Sequence, residues 1–349
     1  MIVDVTGFGW SGSGAVHDLL REYDDVHFAS YEFDWEFTLL WMVDGIYDLE
    51  HKICEKHCRY SDSDKAISRF LHLVSALDST PAMGYNKIFN GQFTQICKKY
   101  IDDLVQVKFE GRNFDEMMSR SFGERYYQFS KRYFGHGVVK KIIPFSDKMI
   151  IPNMHTINLS YNPDNFLERT QSLLDELLSY VRSNDKKPLV TDQVFPPDCP
   201  DLFFKYFTEP IKCIIVRRDP RDLYLLAKHA YNSLIPIPSS NVDDFILFYK
   251  KTIENTKLPN SAHLLNVRFE DLIYNYDETI KDIENFIGIS SHVSKYEYFK
   301  PQNSINNTQL YNYYGDCKAD ISKIEESLTM SLFPFEKYNA LEKRSSAVF

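Results

Sequence analysis

The chain has 349 residues, 44% of them hydrophobic and 26% charged, a balance that suits a folded globular protein and excludes disorder and fibrous repeats. Its formal net charge of −9 excludes the basic character of a general nucleic-acid binder, so any anionic ligand must meet a local cationic patch. No run is apolar enough for a membrane span, no signal-peptide pattern opens the chain, and six cysteines do not make a disulfide framework at this length, which points to a cytoplasmic protein without stable membrane insertion.

The first predicted element is a strand, Ile2 to Thr6, followed by the turn GFGWSGSG and a helix with Val16, Leu19 and Leu20 on one face. A strand, a glycine-rich turn and a helix make an anion cradle, because backbone N–H groups can converge on an oxyanion and the helix adds its positive end. Gly9, Trp10, Ser11, Gly12, Ser13, Gly14 and Ala15 are the predicted phosphate-binding residues. A nucleoside-triphosphatase loop ends in Gly-Lys-Ser/Thr, whereas here Gly12 is followed by Ser13 and Gly14, which counts against a kinase or NTPase. Gly7, Gly9 and Gly12 also satisfy a dinucleotide spacing, with Glu32 as a stand-in for its ribose-binding acid.

A weaker strand, Val26 to Phe33, precedes a long aromatic-rich stretch, about Thr38 to Val181, whose period is mostly helical. It reads as a helical insertion between the second and third strands, covering one side of the sheet's C-terminal edge. His51, Cys54, His57 and Cys58 have metal-like spacing, but on a helix they spread over adjoining faces and no second cluster completes a zinc site, so no metal is predicted. Phe166 to Tyr180 is the clearest amphipathic helix, with Leu167, Leu173, Leu174, Leu177 and Leu178 on its core side.

Pro188 to Thr191 is the next strand, ending at Asp192 and a rigid loop around Pro196, Pro197 and Pro200. A strong strand, Cys213 to Arg217, runs into Arg217, Arg218, Asp219, Pro220, Arg221 and Asp222 and then a helix. Arginines at the C-terminal end of a parallel strand point into the crevice where α/β sheets bind ligands, and guanidinium forks suit phosphate. A salt-bridged structural turn is expected of Arg221 but not of all three arginines, and Asp222 is placed to favour the helix start. The last strand, His263 to Val267, leads through Glu270 and Asp271 to an amphipathic helix ending at Gly288. Residues from about 343 onward read as a frayed tail, and no linker divides the rest, so a single α/β domain with about five parallel strands is expected.

Three of these stretches, in this order, resemble the sulfotransferase superfamily that uses 3'-phosphoadenosine 5'-phosphosulfate (PAPS). GFGWSGSGAV is similar to its 5'-phosphosulfate loop, RDPRD to its 3'-phosphate motif, usually Arg-Asn-Pro-Arg-Asp, and VRFEDL with the later FIGI to its Tyr-Glu-Asp-Leu segment and Phe-Leu-Gly. The resemblance covers about eighty residues. It implies a P-loop-like three-layer fold with a central parallel sheet and a large helical insertion. It further implies PAPS as co-substrate without a metal, donor contacts from Gly9 to Ala15, Arg217 and Arg218, and an acceptor hydroxyl on a carbohydrate or glycolipid, as in bacterial carbohydrate-type members.

Two positions depart from the family pattern. Trp10 stands where many members carry a Lys or Arg, and Leu226 where a serine joins the first arginine in holding the 3'-phosphate. Arg217, Lys228, Lys87 and Lys140 are the candidates for the missing cation. Sulfuryl transfer also needs a base for the acceptor hydroxyl, for which Asp192 is best placed, ahead of His155 and His229. The alternatives are a P-loop kinase or NTPase, or a non-catalytic nucleotide-binding protein of the same fold.

Overall fold

A computed structural model describes residues 1–29, 37–55, 62–111, 122, 155–182, 187–230 and 237–338. The chain opens with β1 (Ile2–Gly7), α1 (Ser13–Leu20) and β2 (His27–Phe28). An inserted block follows, holding α2 (Ile46–Cys54), α3 (Asp62–Ser79), α4 (Phe93–Leu104), β3 (Val107–Gly111), β4 (His155–Leu159) and α5 (Phe166–Val181). The chain then returns through β5 (Leu189–Asp192), β6 (Ile211–Arg217), α6 (Pro220–Leu225), α7 (Val242–Tyr249), β7 (Leu264–Arg268), α8 (Tyr276–Ile287) and α9 (Lys318–Ser327).

Five strands form one parallel sheet in the order β2–β5–β1–β6–β7. All five correspond to predicted strands, and the fold class is the expected α/β one. β1 lies at the centre and is buried along its whole length, as a parallel strand covered on both faces must be. Side-chain alternation divides its contacts. Ile2 joins Leu189, Cys213, Ile215 and Leu264 in a core shared with Leu49, Phe70, Phe93 and Leu174 of the inserted helices. Val3 and Val5 join Val190, Ile214 and Val216 on the opposite face, against Val16, Leu19 and Leu20 of α1 and Ile283 of α8. The sheet is therefore sandwiched between two helical layers, and each fully buried aliphatic side chain contributes roughly 1.5–3 kcal/mol. A third cluster joins α6, α7 and α9 through Leu225, Phe245 and Ile324.

The insertion falls between β2 and β5 as expected, but it is not helical throughout. β3 and β4 pair antiparallel, with Val107 opposite Leu159. The pair evades a local reading because its partners are far apart in sequence and β3 is largely exposed, with Phe109 at 48%. Its inner side is fixed by Asp64 of α3, whose carboxylate accepts from the Asn158 N–H at 2.8 Å. The block also packs on the sheet's face rather than only at its C-terminal edge, since Ile2, Leu189 and Ile211, near the strands' N-terminal ends, belong to its core.

Helix boundaries follow ordinary chemistry. Asp219 caps α6 by accepting from the Arg221 N–H, with Pro220 in the first helical position. α8 ends at Gly288 in the left-handed region, the usual helix stop. His51 and Cys54 lie on α2. His57, Cys58, Glu32, Lys140 and residues 343–349 lie outside the described residues. No helix among the described residues is long and apolar enough to cross a membrane.

Candidate functional site

Because β1 sits between β5 and β6, the C-terminal ends of three neighbouring strands deliver the glycine-rich loop, Asp192 and Arg217 to one edge of the sheet. The loop leaves β1 at Gly7 and turns through Gly9, Trp10 and Gly12, whose φ angles are 55°, 54° and 95°. Gly12 is required twice: its φ is left-handed, and a Cβ there would lie 2.5 Å from the Phe269 ring. Ser11 is an internal brace, buried, with its Oγ accepting from the Phe8 N–H at 3.1 Å. Trp10 holds a left-handed conformation at a cost of roughly 1–2 kcal/mol, and its carbonyl accepts from Arg218 Nη1 at 3.1 Å. Gly12, Ser13 and Gly14 open α1, so their N–H groups are among those a helix start leaves for an external acceptor. Ala15 N–H bonds back to the Gly12 carbonyl at 3.0 Å.

Arg217 and Arg218 are adjacent and aim apart. Arg218 stacks its guanidinium 4.6 Å from the centre of the Phe269 ring and donates to the carbonyls of Trp10 and Asn307. It thus ties the loop to the end of β6. Arg217 lies over the Phe8 ring at 5.0 Å and donates to Asn266 Oδ1 at 3.2 Å and to the Ile253 carbonyl. Burial lowers its pKa, and the charge of Arg268 acts in the same sense. Arg221 is the structural residue expected: it makes a bidentate pair with Asp219 at 3.0 and 2.8 Å and reaches Glu325 at 2.9 Å. Asp222 lies in the first turn of α6, as expected of a helix-start charge, and does more than that. Its carboxylate accepts from the N–H groups of Gln309 and Leu310 at 2.9 and 2.7 Å, anchoring that segment to α6.

Two carboxyl groups near this edge carry no site role in the sequence reading, although Glu270 is named there as part of a turn. Asp4, fully buried in β1, accepts from Thr191 Oγ1 at 2.9 Å and from the N–H groups of Val194 and Phe195 at 3.0 and 3.2 Å. Thr6 Oγ1 donates to the Phe195 carbonyl at 2.7 Å, so β1 grips the turn that follows Asp192. Burial pushes the Asp4 carboxyl up to about 7. Glu270 is also fully buried; Oε1 accepts from the Asp219 N–H at 2.9 Å, while Oε2 has no hydrogen-bond partner among the described residues. Burial, then the charge of Asp219, pushes its carboxyl up to about 8, so at neutral pH it is largely protonated. A carboxylate inside the apolar run of β1 was the available signal for Asp4. For Glu270 the signal was its place in VRFEDL.

Asp192 is the last residue of β5, half-buried, with Val5 of β1 as register partner. The next N–H, of Gln193, bonds to the Val5 carbonyl at 3.0 Å, which holds the strand end beside the loop's root. The remaining candidates are placed elsewhere. Lys228 is held by Asp320 at 2.8 Å and Tyr224 at 3.0 Å. His229 stacks on Tyr314 and lies 3.4 Å from Cys317 Sγ; with Asp316 these two bring ligand-type atoms within 4.8 Å of one another, a grouping that sequence reasoning did not find. His155 faces Asp64 at 3.4 Å in the β4 ribbon, Lys87 lies in a short helical turn of the inserted block, and Leu226 is buried in the α6 core.

No family model matches the chain, and no curated protein does. Among solved structures it is similar to the sulfotransferase domain of the Synechococcus PCC 7002 olefin synthase, at 10% identity and a TM-score of 0.37, over 88% of this chain and 87% of that one. It is also similar to the sulfotransferase domain of the curacin biosynthetic pathway, at 12% identity and a TM-score of 0.39, over 95% and 98%.

Proposed function

We propose that this protein is a sulfotransferase that moves a sulfuryl group from PAPS to a hydroxyl of a carbohydrate or glycolipid. The observation that carries the reading is the contact between Arg218 and the Trp10 carbonyl. It joins the RDPRD turn to the glycine-rich loop across 208 residues, at the C-terminal ends of adjacent strands. Two motifs that share a family order in the sequence thereby meet at one edge of the sheet, where parallel α/β sheets bind their ligands. The residues fit the donor's chemistry: the opening N–H groups of α1 suit its 5'-phosphosulfate, and a guanidinium suits its 3'-phosphate.

In this reading Gly12, Ser13 and Gly14 hold the phosphosulfate and Arg218 the 3'-phosphate. Asp192, at the end of the neighbouring strand, takes the proton of the acceptor hydroxyl as its oxygen bonds to sulfur and the sulfur–oxygen bond to the donor phosphate breaks. Asp4 and Thr6 position the turn behind Asp192. The loop lacks the Lys-Ser/Thr pair of nucleoside triphosphatases, so the donor is held without magnesium.

The test uses the full chain with 3'-phosphoadenosine 5'-phosphate, the donor product. At a hundred times its dissociation constant, without magnesium, it stabilises the fold by about 2.7 kcal/mol, and ATP with magnesium does much less. Transfer of labelled sulfate from PAPS to a glycan panel falls by roughly 10²–10⁴ in Asp192→Asn, while the stabilisation by the donor product persists. A larger shift with magnesium-ATP overturns the proposal.

A further inference from the structure

Arg217 and Arg268 occupy paired register positions on β6 and β7, so two guanidinium groups rise side by side from neighbouring strands. Neither makes a salt bridge among the described residues. Arg217, only 9% exposed, is satisfied by neutral groups alone, the Asn266 amide oxygen and the Ile253 carbonyl, and its Nη2 has no hydrogen-bond partner among the described residues. Among the described residues Arg268 donates to the carbonyls of Ser331 and Leu332, at 3.2 and 3.1 Å. Placing two like charges together, one of them buried, costs free energy that a structural role would offset with a carboxylate. Arg221, four residues along, shows that arrangement with Asp219 and Glu325.

Both arginines line a cleft of about 660 Å³ at the C-terminal ends of β6 and β7. Its charged lining consists of Arg217, Arg218, Lys257 and Arg268 against Glu254 and Asp271; with Arg218 turned to the carbonyls of Trp10 and Asn307, three cations face two carboxylates in a chain whose net charge is −9. Glu254 accepts from Ser331 Oγ at 2.9 Å and Asp271 from Asn275 Nδ2 at 2.9 Å, and neither forms a salt bridge with the arginines among the described residues. The two asparagines of the wall, Asn260 and Asn266, bond to each other at 2.8 Å and add neutral polar surface. Arg217 and Arg218 aim apart from consecutive positions, so the cleft borders the Arg218–Trp10 contact at Arg218 and extends away from it towards Arg268.

We infer that the cleft between Arg217 and Arg268 is a second oxyanion site, which takes a phosphate monoester carried by the acceptor. Arg217 and Arg268 offer two guanidinium groups to the two charges of such a group, and the volume exceeds what a bare phosphate needs. That the phosphate belongs to the acceptor rests on the sulfotransferase reading; that the cleft binds an oxyanion does not. Arg217 accordingly serves acceptor recognition rather than the donor.

The experiment is isothermal titration of glucose 6-phosphate, glucose and inorganic phosphate into the full chain, with and without saturating 3'-phosphoadenosine 5'-phosphate. Glucose 6-phosphate is expected to bind in the presence of the donor product, and glucose at least about tenfold more weakly. Arg268→Gln, at a half-buried position, weakens glucose 6-phosphate by about tenfold or more and leaves the affinity for the donor product within about twofold, and Arg268→Lys recovers part of the loss. Thermal melts of each variant check that the fold persists. Competition between glucose 6-phosphate and the donor product, with Arg268→Gln weakening both alike, would assign the cleft to the donor and overturn the inference. No binding of either phosphate to the wild type would also overturn it. Arg268-dependent phosphate binding in a chain that ignores the donor product would uphold the oxyanion site and sink the sulfotransferase reading alone.

Discussion

Glu270 shows how strongly one residue's surroundings set its chemistry. Its carboxyl titrates near 4.5 in an unfolded chain and at about 8 in the fold, where burial and the Asp219 charge disfavour ionisation. Between those values the native state keeps a proton that the unfolded chain has released, so stability falls as pH rises, by on the order of 1.4 kcal/mol per pH unit at most. Asp4 acts in the same sense between its ordinary 3.8 and about 7. Glu270→Gln removes the first contribution while keeping the shape. Wild type and variant are expected to be similar in urea denaturation at pH 5, with the variant gaining on the wild type through pH 7 and 8.5. A difference between the two that does not change with pH would mean that Glu270 is ionised in the fold.

At the scale of elements, β1, its loop and α1 act as one unit seated on Phe269. The loop's path depends on a left-handed Gly12 pressed against that ring, and the ring in turn carries the Arg218 guanidinium. Gly12→Ala introduces a left-handed penalty of roughly 1–2 kcal/mol and an overpacking penalty of about 1–3 kcal/mol. It should lower stability accordingly and abolish stabilisation by 3'-phosphoadenosine 5'-phosphate, both read from thermal melts with and without ligand. Full retention of that ligand response would place the donor elsewhere.

Across the whole molecule, the RDPRD turn is the point where the C-terminal region is fastened to the sheet. Arg218 reaches the Asn307 carbonyl, Asp222 holds Gln309 and Leu310, and Arg221 with Asp219 engages Glu325 and the backbone of Phe333. The two arginines of this turn should therefore separate stability from binding. Arg221→Ala leaves Asp219 buried without its partner and is expected to cost about 3–5 kcal/mol in urea denaturation. Arg218→Ala is expected to cost less stability and about 1.5–3 kcal/mol of affinity for 3'-phosphoadenosine 5'-phosphate by titration calorimetry. The reverse ranking would mean that Arg221, not Arg218, faces the donor.

The sequence by itself determined the five parallel strands, the glycine-rich loop and the structural role of Arg221, because each is written in short-range features: apolar runs, glycine spacing, a proline after a strand. The tertiary structure decided the rest. The β3–β4 ribbon, the grip of Asp4 on a turn some 190 residues away and the anchoring of Gln309 and Leu310 by Asp222 are contacts between distant segments, which local patterning does not encode. Strand alternation alone could have separated Arg217 from Arg218. That Arg217 stands beside Arg268, neither in a salt bridge among the described residues, depends on the register between β6 and β7, and register is set by the packing of both sheet faces at once.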